Sequence, residues 1–251
     1  MVLATINQKG GVGKSTSAAA IGRAFSLSGA KVLFIDLDAQ GNLTYIMGAG
    51  TTGANVLDVL QEPEKIKEAI QHTPQGDIIA SARGLAIADQ LFTDTGKEYL
   101  LKEALEGIRG LYDHVIIDTP PALGILTVNA LTACNGAIVP AQADVLSLQG
   151  IGQLKGTIDR VKKYTNLDLE IKGIVLTRYN GRAVISRDIT ELMEATAEKL
   201  QTRLYKTRIR ECTAIKEAQA QKTDIFTYAP RSNAAKDYRA LADEILNSLK
   251  E

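Results

Sequence analysis

Gln8-Lys9-Gly10-Gly11-Val12-Gly13-Lys14-Ser15-Thr16 is the stretch on which the reading of this chain turns. An apolar run at 2–7 precedes it, and an alanine-rich segment at 17–28, closed by Gly29, follows. A strand, a glycine loop and a helix therefore come in succession. Glycines let consecutive backbone N–H groups close around an anion, and the helix behind them points its positive end at it. In such a loop Lys14 reaches the β/γ oxygens of a nucleotide and the Ser15 hydroxyl ligates Mg²⁺. The usual pattern has glycine five residues before Gly13, where this chain has Gln8 with Lys9 beside it. A single phosphate site has no evident use for that second lysine.

Two further stretches supply carboxylates. Tyr112-Asp113-His114-Val115-Ile116-Ile117-Asp118 reads as a buried strand ending in an acid, followed by Thr119-Pro120-Pro121. An acid at the carboxyl end of a strand near a phosphate loop can hold a magnesium-bound water. Alone the pattern is weak; paired with the glycine loop it completes a magnesium–nucleotide site. Phe34-Ile35-Asp36-Leu37-Asp38-Ala39-Gln40-Gly41-Asn42 spaces two acids by two, which on an extended chain puts them on one side, beside the phosphates. Carboxylates there need a metal to bind or a water to orient; strand-end capping and turn chemistry is the plainer alternative.

Outward from these motifs, apolar runs at 31–36, 77–80, 114–118, 137–140 and 171–177 join the one at 2–7 as expected strands, with stretches between them long enough for crossover helices. The expectation is an α/β fold: a doubly wound, mostly parallel sheet with helices on both faces. At 251 residues, with no repeat, linker or low-complexity stretch, one domain spanning 1–251 is the economical organisation. The glycine- and threonine-rich segment 48–55 reads as a surface loop. A final helix at 233–249 places Tyr238, Leu241, Ile245, Leu246 and Leu249 on one face, as a docking helix would.

Composition narrows the function classes. With 45% hydrophobic and 23% charged residues and no tryptophan, the chain reads as globular and soluble, neither disordered nor fibrous. The apolar start at 2–6 is too short for a signal peptide, and no run reaches the ~18 residues of a membrane helix. Cys134 and Cys212 belong to no C-x-x-C pair, so both read as packing residues. Net charge is zero, with 29 basic and 29 acidic residues, yet positions 151–222 hold 15 Lys and Arg against 9 Asp and Glu. That excess of six cations can hold a phosphate backbone.

The motifs in 9–16, 36–42 and 116–121, with Val139-Pro140-Ala141-Gln142, Val175-Leu176-Thr177-Arg178-Tyr179 and Tyr228-Ala229-Pro230-Arg231-Ser232, resemble the ParA/Soj family of DNA-partitioning ATPases, in the deviant Walker A class that includes MinD. The resemblance covers essentially the whole chain. It implies a homodimer with ATP sandwiched between subunits, in which Lys9 is the signature lysine that crosses to the other subunit's phosphates. Gly10 would permit close approach of the subunits. Gly11, Val12, Gly13 and Lys14 would cradle the phosphates, Thr16 would contact the α-phosphate, and Thr177 and Arg178 would complete nucleotide binding. Ser15 would ligate Mg²⁺, supported by Asp36 and Asp118, and Asp38 would orient the attacking water. The resemblance also implies sequence-independent binding of double-stranded DNA, a ParB-type centromere-binding partner that stimulates slow hydrolysis, and a cytoplasmic, nucleoid-associated location. Candidate DNA contacts are Arg182, Arg187, Lys216, Lys222 and Arg231.

Three departures stand out: Ala39 where the family has proline, Ile209-Arg210-Glu211 in place of Ile-Pro-Arg, and a first strand that starts at Val2 with no helix-turn-helix extension before it. They imply a looser switch loop, an altered base-side loop, and no autorepression through a sequence-specific operator. A MinD-like membrane-surface ATPase would need a basic amphipathic C-terminus, whereas Asp243-Glu244 through Lys250-Glu251 is acidic. An electron-transfer protein like the nitrogenase iron protein would need cluster cysteines, and a tyrosine kinase of related fold a tyrosine-rich tail. Movement of a non-DNA cargo over the nucleoid is compatible with the same switch.

Overall fold

The strands are near-continuous apolar runs whose successive residues face opposite sides, and both sides are buried, so the sheet must be covered on both faces. The computed structural model describes residues 1–181 and 184–248, the side chains of 184–187 excepted. Its strands are β1 (Val2–Thr5), β2 (Val32–Asp36), β3 (Ile70–Thr73), β4 (Gly76–Ile79), β5 (His114–Asp118), β6 (Gly136–Gln142) and β7 (Glu170–Thr177). They form one sheet in the order β3-β4-β2-β5-β1-β6-β7, parallel except for β3. All six expected strands are present, with bounds within two residues of those read from sequence. The seventh, β3, pairs antiparallel with β4 across the two-residue turn Pro74-Gln75. Its polar Gln71 and His72 sit at the sheet edge, where one side needs no apolar cover, so its sequence carries no buried-strand pattern.

Helices α1 (Lys14–Leu27), α2 (Asn42–Met47), α3 (Val56–Gln61), α4 (Ala88–Leu91), α5 (Leu100–Glu106) and α6 (Ile125–Ala133) lie in the first half of the chain. The second half adds α7 (Val145–Tyr164), α8 (Val184–Lys199), α9 (Thr213–Ala220), α10 (Ile225–Tyr228) and α11 (Asn233–Ser248). Leu33, Ile35, Ile117, Val139 and Ile174 point to the face covered by α3 through α8. Phe34, Ile116, Ile138 and Val175 point to the opposite face, covered by α1, α2 and α9 through α11.

The helix after the glycine loop begins at Lys14, three residues earlier than its alanine pattern indicated, because Gly13 serves as its N-cap in a left-handed conformation. Segment 49–55 forms neither helix nor strand; it runs from the left-handed Gly48 to Asn55, whose side chain and that of Asp58 build a capping box for α3. Helix α11 buries Tyr238, Leu241 and Ile245 against α1, and Leu246 packs at their margin; Leu249 lies outside the described residues. Among the described residues, no helix is long and apolar enough to cross a membrane.

Candidate nucleotide site

β1 is flanked by β5 and β6 in the middle of the sheet, so the loop 6–13 leaves the sheet beside the carboxyl end of β5. Gly11 (φ 75°) and Gly13 (φ 84°) adopt the left-handed conformation that side-chain-bearing residues adopt only at a cost. Thr177, at the end of β7, donates its hydroxyl to the Val12 carbonyl at 2.7 Å and the Ala141 carbonyl at 3.1 Å. It therefore braces the loop from beneath. The Gln142 amide reaches the Gly11 carbonyl from the side.

The loop rims a cavity of about 300 Å³. Gly10, Gly11, Gly13, Lys14, Ser15 and Thr16 line it, together with Asp38 and Pro121 from beyond β2 and β5 and Arg178 from beyond β7. Arg178 holds φ at 48°, a strained backbone state for an arginine. Lys14 is largely buried; burial lowers its pKa, and the Asp118 and Asp38 carboxylates work against that by favouring the ammonium.

Asp36 and Asp118 are register partners at the ends of β2 and β5, both fully buried. Asp36 accepts from the Thr44 N–H and hydroxyl, both at 2.8 Å, and from the Asp38 N–H at 3.1 Å. Burial pushes both acids above the usual carboxylate range, and their mutual repulsion pushes Asp118 further. One oxygen of Asp118 accepts from Thr5, while the buried Oδ2 has no protein partner. A desolvated, partly orphaned carboxylate beside a serine hydroxyl and a phosphate cradle fits a divalent cation. No three His, Cys, Asp or Glu residues among those described form a self-sufficient metal cage, so the ligand's own oxygens and water must complete the shell.

Asp38 stands beyond the strand, in the turn that returns the chain to α2. Sequence spacing placed both acids beside the phosphates; in the fold Asp38 lines the cavity, whereas Asp36 lies behind it, engaged by Thr44. Lys9 is absent from the cavity lining. Its ammonium pairs with Asp144, the N-cap of α7, whose carboxyl is held low by the Lys9 and Ser147 hydrogen bonds against the raising effect of burial.

Several lining residues had no role assigned from the sequence. Gln40, Asn42 and Tyr45 follow Asp38 within seven residues, so their proximity was legible; Gln219 was not. Gln219 lies on α9 and donates to the Thr16 hydroxyl at 2.9 Å across 203 residues of sequence, a contact that no local pattern announces.

Comparison with known proteins decides the family. A family model described as an AAA domain matches residues 1–171. Sporulation initiation inhibitor protein Soj of Bacillus subtilis is 35% identical over 249 residues, 97% of each chain. Chromosome partitioning protein ParA of Caulobacter vibrioides is 36% identical over 253 residues, 98% of this chain and 94% of that one. This chain belongs to the ParA/Soj family of partition ATPases. A Mycobacterium smegmatis protein described as cobyrinic acid a,c-diamide synthase, solved with ADP and magnesium, superposes with a TM-score of 0.86 at 35% identity, covering 100% of this chain and 95% of that one. The P-loop fold expected from the sequence is thus the fold found.

Two ParA/Soj departures acquire a physical account. Arg210, in the family's proline position, uses the N–H that proline lacks: it donates to Asp237 on α11 at 3.0 Å, and its guanidinium engages the same carboxylate at 2.9 and 2.6 Å. Ala39 occupies the second position of a turn closed by Gly41 N–H to the Asp38 carbonyl at 2.8 Å, a position where proline is favoured and most other residues also fit. Of the basic residues singled out in this ParA/Soj chain, Lys216, Lys222 and Arg231 are exposed, on or near α9 and α11. Lys222 lies 5.0 Å above the Tyr45 ring. Arg182 and the Arg187 side chain lie outside the described residues.

Proposed function

We propose that this partition ATPase dimerises around ATP and Mg²⁺, binds DNA without sequence preference in that state, and is discharged by a ParB-type partner to segregate plasmid or chromosomal DNA. The observation that supports this best is Lys9: it sits on the phosphate loop, yet its ammonium turns away from its own cavity to Asp144. A lysine so placed is available to a second copy's nucleotide once Asp144 releases it.

In this reading the loop amides and Lys14 hold the β/γ-phosphates, Thr16 takes the α-phosphate, and Arg178 closes the rim. Magnesium, when bound by Ser15 with Asp118 and Asp36 behind it, neutralises charge on the phosphate oxygens. Asp38, its backbone fixed by Ser81 and Gly41, orients water for attack on the γ-phosphate. The chain acts in the cytoplasm, over the nucleoid, as one domain.

The test uses Asp38→Ala protein, expected to hold ATP without hydrolysing it. Duplex binding is measured with ATP–Mg²⁺, with ADP and without nucleotide, across a salt series, alongside sedimentation. Salt-sensitive binding by an ATP-dependent dimer, lost with Lys9→Ala, is the expected result. A dimer that binds no duplex in any state would move the function to another surface or cargo, and rapid hydrolysis by Asp38→Ala would remove that residue's role.

A further inference from the structure

The +6 excess of segment 151–222 is not spread evenly. Lys155 and Lys162 on α7, Lys172 on β7, Lys199 at the end of α8, and Arg203 all line one groove of about 790 Å³. Among the described residues, the carboxylates that line it are Asp159 and Glu170. Lys155 pairs with Asp159 at 2.7 Å and Lys172 with Glu170, both on the surface, where such pairs contribute little and exchange readily for a phosphate. Among the described residues, Lys162 and Lys199 hold no ion pair.

The groove is separate from the nucleotide cavity. It surrounds the start of β7 at Glu170, whereas Thr177, which braces the phosphate loop, ends that strand, roughly 23 Å away at ~3.3 Å per residue. Lys155 and Lys162 lie seven residues apart on one face of α7, about 10.5 Å along its axis. That arrangement suits a row of anions better than one enclosed phosphate. Among the described residues no aromatic side chain lines the groove, so they offer no platform for stacked bases. Gln201, Thr202 and Ser248 add neutral polar groups of the kind that reach phosphate oxygens.

We infer that this groove at the amino end of β7 takes the phosphate backbone of duplex DNA, as a contact surface additional to the basic residues around α9. The inference rests on the DNA-binding reading above and extends it to residues on the other side of the sheet edge.

The experiment compares wild-type protein, Lys162→Ala/Lys199→Ala and Lys162→Arg/Lys199→Arg, each with ATP–Mg²⁺ and a non-specific duplex across a salt series. Thermal melting and basal ATP hydrolysis serve as checks, since both positions are remote from the nucleotide. Each released phosphate contact lowers the slope of log Kobs against log salt by ~0.9, so the alanine pair is expected to flatten it by ~1.8 for each subunit whose groove meets the duplex, and the arginine pair to preserve it. An alanine pair with wild-type slope and affinity overturns the groove while leaving the partition reading standing. Wild-type protein that binds no duplex in any nucleotide state overturns both.

Discussion

Two glycines separate what the monomer needs from what the proposed dimer would need. A Cβ on Gly22 would fall 2.3 Å from Cε1 of Phe34 and 3.1 Å from Ile116, inside the packing of α1 on the sheet. Gly22→Ala is expected to destabilise the fold by about 1–3 kcal/mol, read from the midpoint of a urea melt. A Cβ on Gly10 would meet nothing within 4 Å. Gly10→Ala should leave the melt unchanged yet weaken ATP-dependent dimerisation in sedimentation, if the second subunit fills that space; equal dimerisation would place the interface elsewhere. Arg210 is the other residue-scale lesson: Arg210→Pro restores the family's residue but removes an amide and a guanidinium from Asp237, and should lower stability by about 1–2 kcal/mol. Its presence was plain in the sequence; its partner on α11 was not.

Helix α9 links the cavity lining, through Gln219, to the exposed Lys216 and Lys222. Gln219 touches Thr16 at one end, and just beyond the helix Lys222 lies over Tyr45 of α2. The Gln75 amide clamps the pair by donating to the carbonyls of Ile46 and Lys222. If Thr16 contacts the nucleotide as proposed, these contacts would give its occupancy a short route to Lys216 and Lys222. Gln219→Ala, which removes one hydrogen bond of about 1 kcal/mol, is expected to narrow the ratio of duplex affinities with ATP and ADP by about fivefold, with the ATP-state dimer intact. An unchanged ratio would mean that α9 carries no signal. The strand ends behave differently: β2 and β5 hold their acids in register because parallel pairing aligns Asp36 with Asp118, a consequence of the ladder that spacing within either strand cannot state.

At the scale of the whole molecule, the titration of His114 is expected to show in stability when wild type is compared with a variant that lacks the ring. His114 begins β5, half-buried with its ring 4.9 Å from that of Phe25 and its Nδ1 unpartnered. Burial, reinforced by the N-terminal ammonium, lowers its pKa. Above pH ~6.5 the ring is neutral whether folded or not; below it the unfolded chain takes up a proton that the folded chain refuses. Stability from this group is therefore lost as pH falls from ~6.5 toward the folded pKa, and the melting temperature of wild type should drop further between pH 7.5 and 5.5 than that of His114→Phe. Parallel curves would show that the ring titrates equally in both states. By itself the sequence determined the phosphate loop, the strand–helix alternation and the acids at strand ends, because these depend on period, on glycine's backbone freedom and on side-chain chemistry within short windows. Tertiary structure alone decided that Lys9 turns to Asp144, that Gln219 reaches Thr16 and that five distant cations share one groove. Those are meetings of residues far apart in the chain, and packing, not local pattern, brings them within reach.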